Sequence, residues 1–211
     1  MKNTKEENHR WSAHEMKMLT HVEVFLHKPA LMKKAEDLLK TLEQSMVEEL
    51  ADSRVDLPPG TRQTSAHLVR GENHNGFPFL SLDIPQMFSK TEMFTYRTLF
   101  WWGHYLGFAL ILKGKNLPSY TDHLIQNKGD SVWSNAYLAT APTPWEWSRT
   151  DQHFKNVHTA SEDELRGAVA SIDYIKLCRF YPVDDASFPS LDWTVAGIDA
   201  WRNFSRIARD P

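Results

Sequence analysis

Four residues in the middle of the chain carry side chains suited to moving protons: Glu72, His74, Asp83 and His104. A carboxyl group and an imidazole act as acid and base once their surroundings bring their pKa values near working pH. Glu72 and His74 fall in a polar stretch, Gly71 to Gly76, that reads as the turn of a hairpin, where a rigid sheet could present them to a ligand. The same stretch reads equally well as a solvated turn in which Asn73, Asn75 and Gly76 supply only backbone geometry. Imidazole and carboxylate also suit zinc or iron, so these four residues could furnish a mononuclear metal site. Nothing in their spacing makes them converge, and no metal is expected.

A second group is suited to binding. His104 interrupts an apolar run, and buried polarity costs about 1–3 kcal/mol unless it is hydrogen-bonded. It is therefore either a core histidine bonded to Asp83, a carbonyl or water, or a group that faces a ligand. Arg97 begins the same run, and pairing with Asp83 or Glu92 would account for it. Eight tryptophans are many for 211 residues. Trp145-Glu146-Trp147 follows Pro142-Thr143-Pro144 in what reads as a loop, where tryptophan can stack on a ligand, anchor a partner or seal the edge of a core. Arg97, His104, Trp145 and Trp147 are the candidate ligand-binding residues. They suit a small apolar or aromatic molecule whose polar group Arg97 or His104 orients.

The elements that must position these residues follow from periodicity. Ser12 with Glu15 forms a capping-box pattern, and Met16, Leu19, Val22 and Leu26 continue at roughly helical spacing, although Val22, Val24 and Leu26 also permit a strand. Pro29 should break or restart the chain. Ala35, Leu38, Leu39, Leu42, Met46 and Leu50 form one apolar helical stripe. His67 to Arg70 and Leu80 to Ile84 then alternate as an antiparallel hairpin that ends at Pro85. Arg97 to Lys113 is apolar on both faces and reads as one long central strand, with Gly103 and Gly107 permitting a bend or bulge; a buried helix is the alternative. Leu117 to Asn127 reads as a short helix and Val132 to Leu138 as a strand. Ser161 with Glu164 caps a helix carrying Leu165, Ala168, Val169, Ile172 and Ile175, and Asp192 to Ile207 reads as a terminal helix with Trp193 and Trp201 in the core. The expected fold is α+β: a curved antiparallel sheet of four or more strands packed against N- and C-terminal helices. One domain is expected over residues 1–211, helical at about 12–52, sheet-rich at about 65–138 and helical again at about 146–208.

Composition narrows the function classes. Hydrophobic residues make up 41% and charged residues 24%, ordinary globular usage, and the net charge of −3 argues against nucleic-acid or anionic-membrane partners. The polar stretch Met1 to Arg10 has no apolar core of a signal peptide, and Leu99 to Leu112 is too short to span a bilayer, so a cytoplasmic location is expected. The single cysteine, Cys178, excludes an intramolecular disulfide and reads as a small buried residue on a helix. There is no phosphate-binding glycine loop, nucleophile elbow or dinucleotide fingerprint, and His14-Glu15 lacks a histidine at zincin spacing. The sequence leaves the cofactor unknown.

Arg70-Gly71-Glu72-Asn73-His74-Asn75-Gly76-Phe77-Pro78, Leu82-Asp83-Ile84-Pro85, and Phe94 to Gly103 with Phe100-Trp101-Trp102-Gly103 together resemble a family of uncharacterised bacterial proteins, chiefly from Bacteroidetes. The resemblance implies a free-standing small protein and carries over no functional residue. The leading expectation is a non-enzymatic small-molecule-binding protein with an aromatic-lined cleft between sheet and helices. The alternatives are an acid/base hydrolase-type enzyme using Glu72, His74, Asp83 and His104, and a module that homodimerises through its sheet edge or aromatic loop.

Overall fold

The computed structural model of the chain describes residues 10–52 and 55–209. The polar stretch read as no signal peptide lies outside them, apart from Arg10. The chain divides into two compact units, residues 1–36 and 37–211.

In the first unit, helix α1 (Ala13–Thr20) starts at the expected capping box: Ser12 Oγ accepts from Glu15 N at 3.2 Å, and the Glu15 carboxylate accepts from Ser12 N at 2.6 Å. No residue of α1 is buried. Helix α2 (Glu23–Ala51) follows, its residues from Asp37 on belonging to the second unit, so Val24 and Leu26 are helical rather than extended, and Pro29 lies inside the helix instead of breaking it. The carbonyl that loses its donor there belongs to Phe25, which is 72% exposed, so water can take the place of the missing N–H.

The second unit holds a seven-stranded, open antiparallel sheet: β1 (His67–His74), β2 (Phe77–Phe88), β3 (Met93–Trp101), β4 (Tyr105–Lys113), β5 (Tyr137–Ala139), β6 (Phe154–Asn156) and β7 (Ile175–Pro182). Their order is β1-β2-β3-β4-β7-β5-β6. Helices α3 (Leu117–Asn127), α4 (Glu162–Ile172) and α5 (Trp193–Phe204) complete it, which makes the fold α+β with helices at both chain ends. Among the described residues no helix is long and apolar enough to cross a membrane.

Several elements depart from the periodicity reading. The long central strand is two strands: β3 and β4 form a hairpin closed by the Trp101–Tyr105 pair, with Gly103 at φ +75° in the turn. Because the turn takes up three residues, both strands keep the predicted alternation, with Phe108 and Leu110 on one face and Ala109 and Ile111 on the other. Strand β2 runs past Pro85 to Phe88, through a register irregularity between Asp83 and Gln86. Glu72 and His74 belong to β1 rather than to a turn; the turn is Asn75-Gly76, both at positive φ. The span Val132 to Leu138 is a 3-10 turn, Ser131–Trp133, followed by β5. The chain after residue 146, expected to be helical, contains β6 and β7, and Cys178 lies on β7 rather than on a helix. Helix α4 ends because Asp173 turns left-handed at φ +58°, and Ile175 then starts a strand.

The sheet is covered on both faces. On one, the Tyr96 hydroxyl donates to Gly197 O of α5 at 2.6 Å and its ring meets Trp201 edge-on at 5.5 Å. Gly197 is required there, since a Cβ would come within 2.7 Å of Leu42 and 3.0 Å of Phe108. On the other face Leu99, Trp101, Tyr105, Ala109, Ile111 and Cys178 form a core with Trp147 and Phe154. Gly103→Ala should lower stability by about 1–2 kcal/mol, the cost of a left-handed backbone with a side chain. Gly129→Ala, with open space and no positive φ, should leave the urea-unfolding midpoint unchanged.

Candidate functional site

The hairpin joining β5 to β6, residues 140–153, is longer than an ordinary hairpin connection and lies over the second face of the sheet. Pro142 and Pro144 cannot donate to a ladder, so β5 ends before them. The loop braces itself: Thr140 N donates to His153 O at 2.8 Å, and Ser148 N donates to the Glu146 carboxylate at 2.6 Å. Three side chains from the sheet region then bind its carbonyls. Tyr174 donates to Ala141 O at 2.5 Å, Lys176 Nζ to Glu146 O at 2.7 Å, and the Tyr105 hydroxyl to Trp147 O.

Lys176 is completely buried, with Nζ 3.4 Å from the centre of the Trp147 ring. Burial pushes its pKa down to about 8, helped by the Arg97 charge and opposed by Cys178 and Glu146. Burial likewise pushes the Cys178 thiol up to about 12 and raises the Tyr105 and Tyr174 hydroxyls, which stay protonated as donors. Cys178 is thus a packed, unreactive thiol.

The loop places its tryptophans over β3. Trp147 is 2% exposed, while Trp145 is 41% exposed and has the Arg97 guanidinium 4.6 Å from its ring centre. Arg97 is fixed from below by a two-pronged bond to Asp83, with Nε–Oδ1 and Nη2–Oδ2 both at 2.7 Å. Asp83 is fully buried and also accepts from Thr95 Oγ1 at 3.4 Å. His74, Phe79, Ser81, Arg97, Leu99, Trp145 and Trp147 line one cavity of about 140 Å³. His74 Nε2 is buried without a hydrogen-bond partner among the described residues. Burial lowers the His74 pKa, so the imidazole is held neutral at pH 7.

Arg97, Trp145 and Trp147 therefore meet, as the binding reading expects, and His74 joins them. His104 does not line the cavity: it lies in the β3–β4 turn with its ring stacked on Trp101 at 3.8 Å and no bond to Asp83. The proton-transfer group does not assemble. Asp83 is occupied by Arg97 and pairs across the ladder with His67, at the far end of β1 from His74. Glu72 is exposed and lies 3.5 Å from Arg70. Among the described residues no three His, Cys, Asp or Glu side chains gather to hold a metal. Phe79, Ser81 and Leu99 carried no functional signal in the sequence. Lys176 could have been found as the one charge in the apolar run Tyr174 to Cys178.

A larger groove, about 780 Å³, lies at the edge of β7 and is lined by Tyr137, Arg149, Arg179, Phe188, Asp199 and Arg206 among others. None of these was singled out from the sequence for a site. Comparison with protein families, curated proteins and solved structures finds no match.

Arg97→Met should cost about 3–5 kcal/mol in urea unfolding by leaving the Asp83 carboxylate buried and alone, and adding Asp83→Asn should restore most of it. Lys176 gives a second prediction. Its folded pKa is depressed, so the unfolded chain binds more protons between about pH 8 and 10.5, and stability rises with pH over that interval. Cys178 opposes this above about pH 9, because its thiol stays protonated only in the folded chain. Between pH 8 and 9 the protein should therefore gain about 1 kcal/mol relative to Lys176→Met.

Proposed function

We propose that the chain is a non-enzymatic small-molecule-binding protein of the cytoplasm, whose ligand enters the cavity between β2–β3 and the 140–153 loop. The observation that carries this reading is the convergence of Arg97, His74, Trp145 and Trp147 on one space. The chemistry of the wall selects the ligand. Phe79, Leu99 and Trp147 favour an apolar or aromatic body. A cavity of about 150 Å³ holds a single six-membered ring, so the volume of about 140 Å³ limits that body to one ring or a short branched chain. A hydroxyl on it would satisfy His74 Nε2, the nitrogen lining this cavity that is buried without a partner among the described residues. Arg97 is neutralised by Asp83, so the site favours a neutral polar group over a second carboxylate.

Trp145, the most exposed wall, is the cover. An acid/base enzyme is not favoured, since Asp83 is bonded to Arg97, Glu72 is exposed beside Arg70, and His104 is stacked on Trp101 outside the cavity. Phenol is a suitable probe, with calorimetric titration as the measurement. It should bind to the wild-type chain, and Trp145→Ala should weaken it about tenfold without loss of stability. Equal affinity in the two proteins, or no binding, contradicts the reading.

A further inference from the structure

Strand β5 pairs with β7 only through Tyr137–Cys178 and Leu138–Leu177, so the outer edge of β7 over Arg179–Pro182 has no strand partner among the described residues. The 780 Å³ groove opens along that edge, within the ordinary range of small-molecule sites. Its charged lining is three arginines, Arg149, Arg179 and Arg206, against two aspartates, Asp185 and Asp199. Both aspartates are already bonded. Asp199 accepts from Arg179 Nη1 at 2.6 Å and Asn203 Nδ2 at 3.1 Å, and Asp185 accepts from Ser187 N and Oγ at 2.8 and 2.7 Å.

The arginines are unequal. Arg179 gives Nη1 to Asp199 and Nη2 to Val132 O at 3.3 Å, and its Nε is buried without a partner among the described residues. Arg206 is 3.7 Å from Asp130, an exposed pair beyond hydrogen-bond distance. Arg149 has no carboxylate partner among the described residues. Its guanidinium lies 5.0 Å from the Tyr137 ring centre and 5.5 Å from that of Phe180, and Nη2 donates only to the Tyr137 hydroxyl at 3.1 Å. An exposed guanidinium beside two rings tilted 52° to one another, with one side-chain hydrogen bond and most of its five N–H donors open, can receive an oxyanion.

We propose that this groove binds a small organic oxyanion, with its phosphate or carboxylate on Arg149 and its body along the edge of β7 toward Phe188. The site shares no lining residue with the tryptophan-covered cavity. The test is calorimetric titration of the full chain with phenyl phosphate and, separately, benzoate, each at about 5 mM, enough to fill a site of millimolar Kd. At least one should bind, and Arg149→Ala, a change at an exposed residue, should weaken it about tenfold or more, while Trp145→Ala leaves it unchanged. Which of the two binds more tightly identifies the oxyanion as phosphate or carboxylate. Failure of both to bind, survival of binding in Arg149→Ala, or loss of binding in Trp145→Ala overturns the proposal.

Discussion

The attachment of the 140–153 loop to the sheet is the constraint on which both sites depend. Three side chains from β4, β7 and the residue before β7 bind the carbonyls of Ala141, Glu146 and Trp147. An irregular loop cannot meet its own backbone needs by a ladder, and a buried carbonyl without a donor is costly. The two tyrosines and Lys176 supply those donors from regular structure. Their reward in geometry is that Trp147 packs into the core and Trp145 lies over Arg97. Arg149, two residues on, reaches the other side of the loop, against Tyr137 and Phe180.

Lys176 is the least expected member of this set. A lysine at 0% exposure loses most of its hydration, and one carbonyl bond with the rings of Trp147 and Phe154 compensates only part of it. Its lowered pKa expresses that balance. The Asp83–Arg97 pair handles the same problem differently: two parallel bonds neutralise both charges, and the remaining guanidinium face meets Trp145. The second face of the sheet is thus mainly apolar but holds three charged side chains, Asp83, Arg97 and Lys176, at fixed positions. The first face, against α5, is joined by aromatic packing and the Tyr96–Gly197 bond.

What could be read from the sequence was whatever is local. The capping boxes at Ser12 and Ser161 and the stripe through Leu39, Leu42, Met46 and Leu50 depend on contacts three or four residues apart, and they form as the pattern predicts. The two-sided burial of the β3–β4 region was legible because alternation survives the turn. The turn itself was hidden, since Trp101-Trp102-Gly103-His104-Tyr105 has no polar pair to mark it. Strand β7 was hidden for a related reason: Ile175 continues the spacing of α4, and only the left-handed Asp173 separates helix from strand. Arg97, Trp145 and Trp147 were identifiable by residue type. The partners that bring them together, Lys176, Tyr105 and Tyr174, lie thirty or more residues away from the carbonyls they bind, beyond the reach of any spacing argument.

Amide hydrogen exchange over residues 141–149, compared between the wild-type chain and Lys176→Met, tests the loop attachment most directly. If the sheet's side chains hold the loop, exchange there rises at least about tenfold while β3 and β4 keep their protection. Unchanged exchange in that segment, or a loosening spread evenly over the whole sheet, would contradict the account.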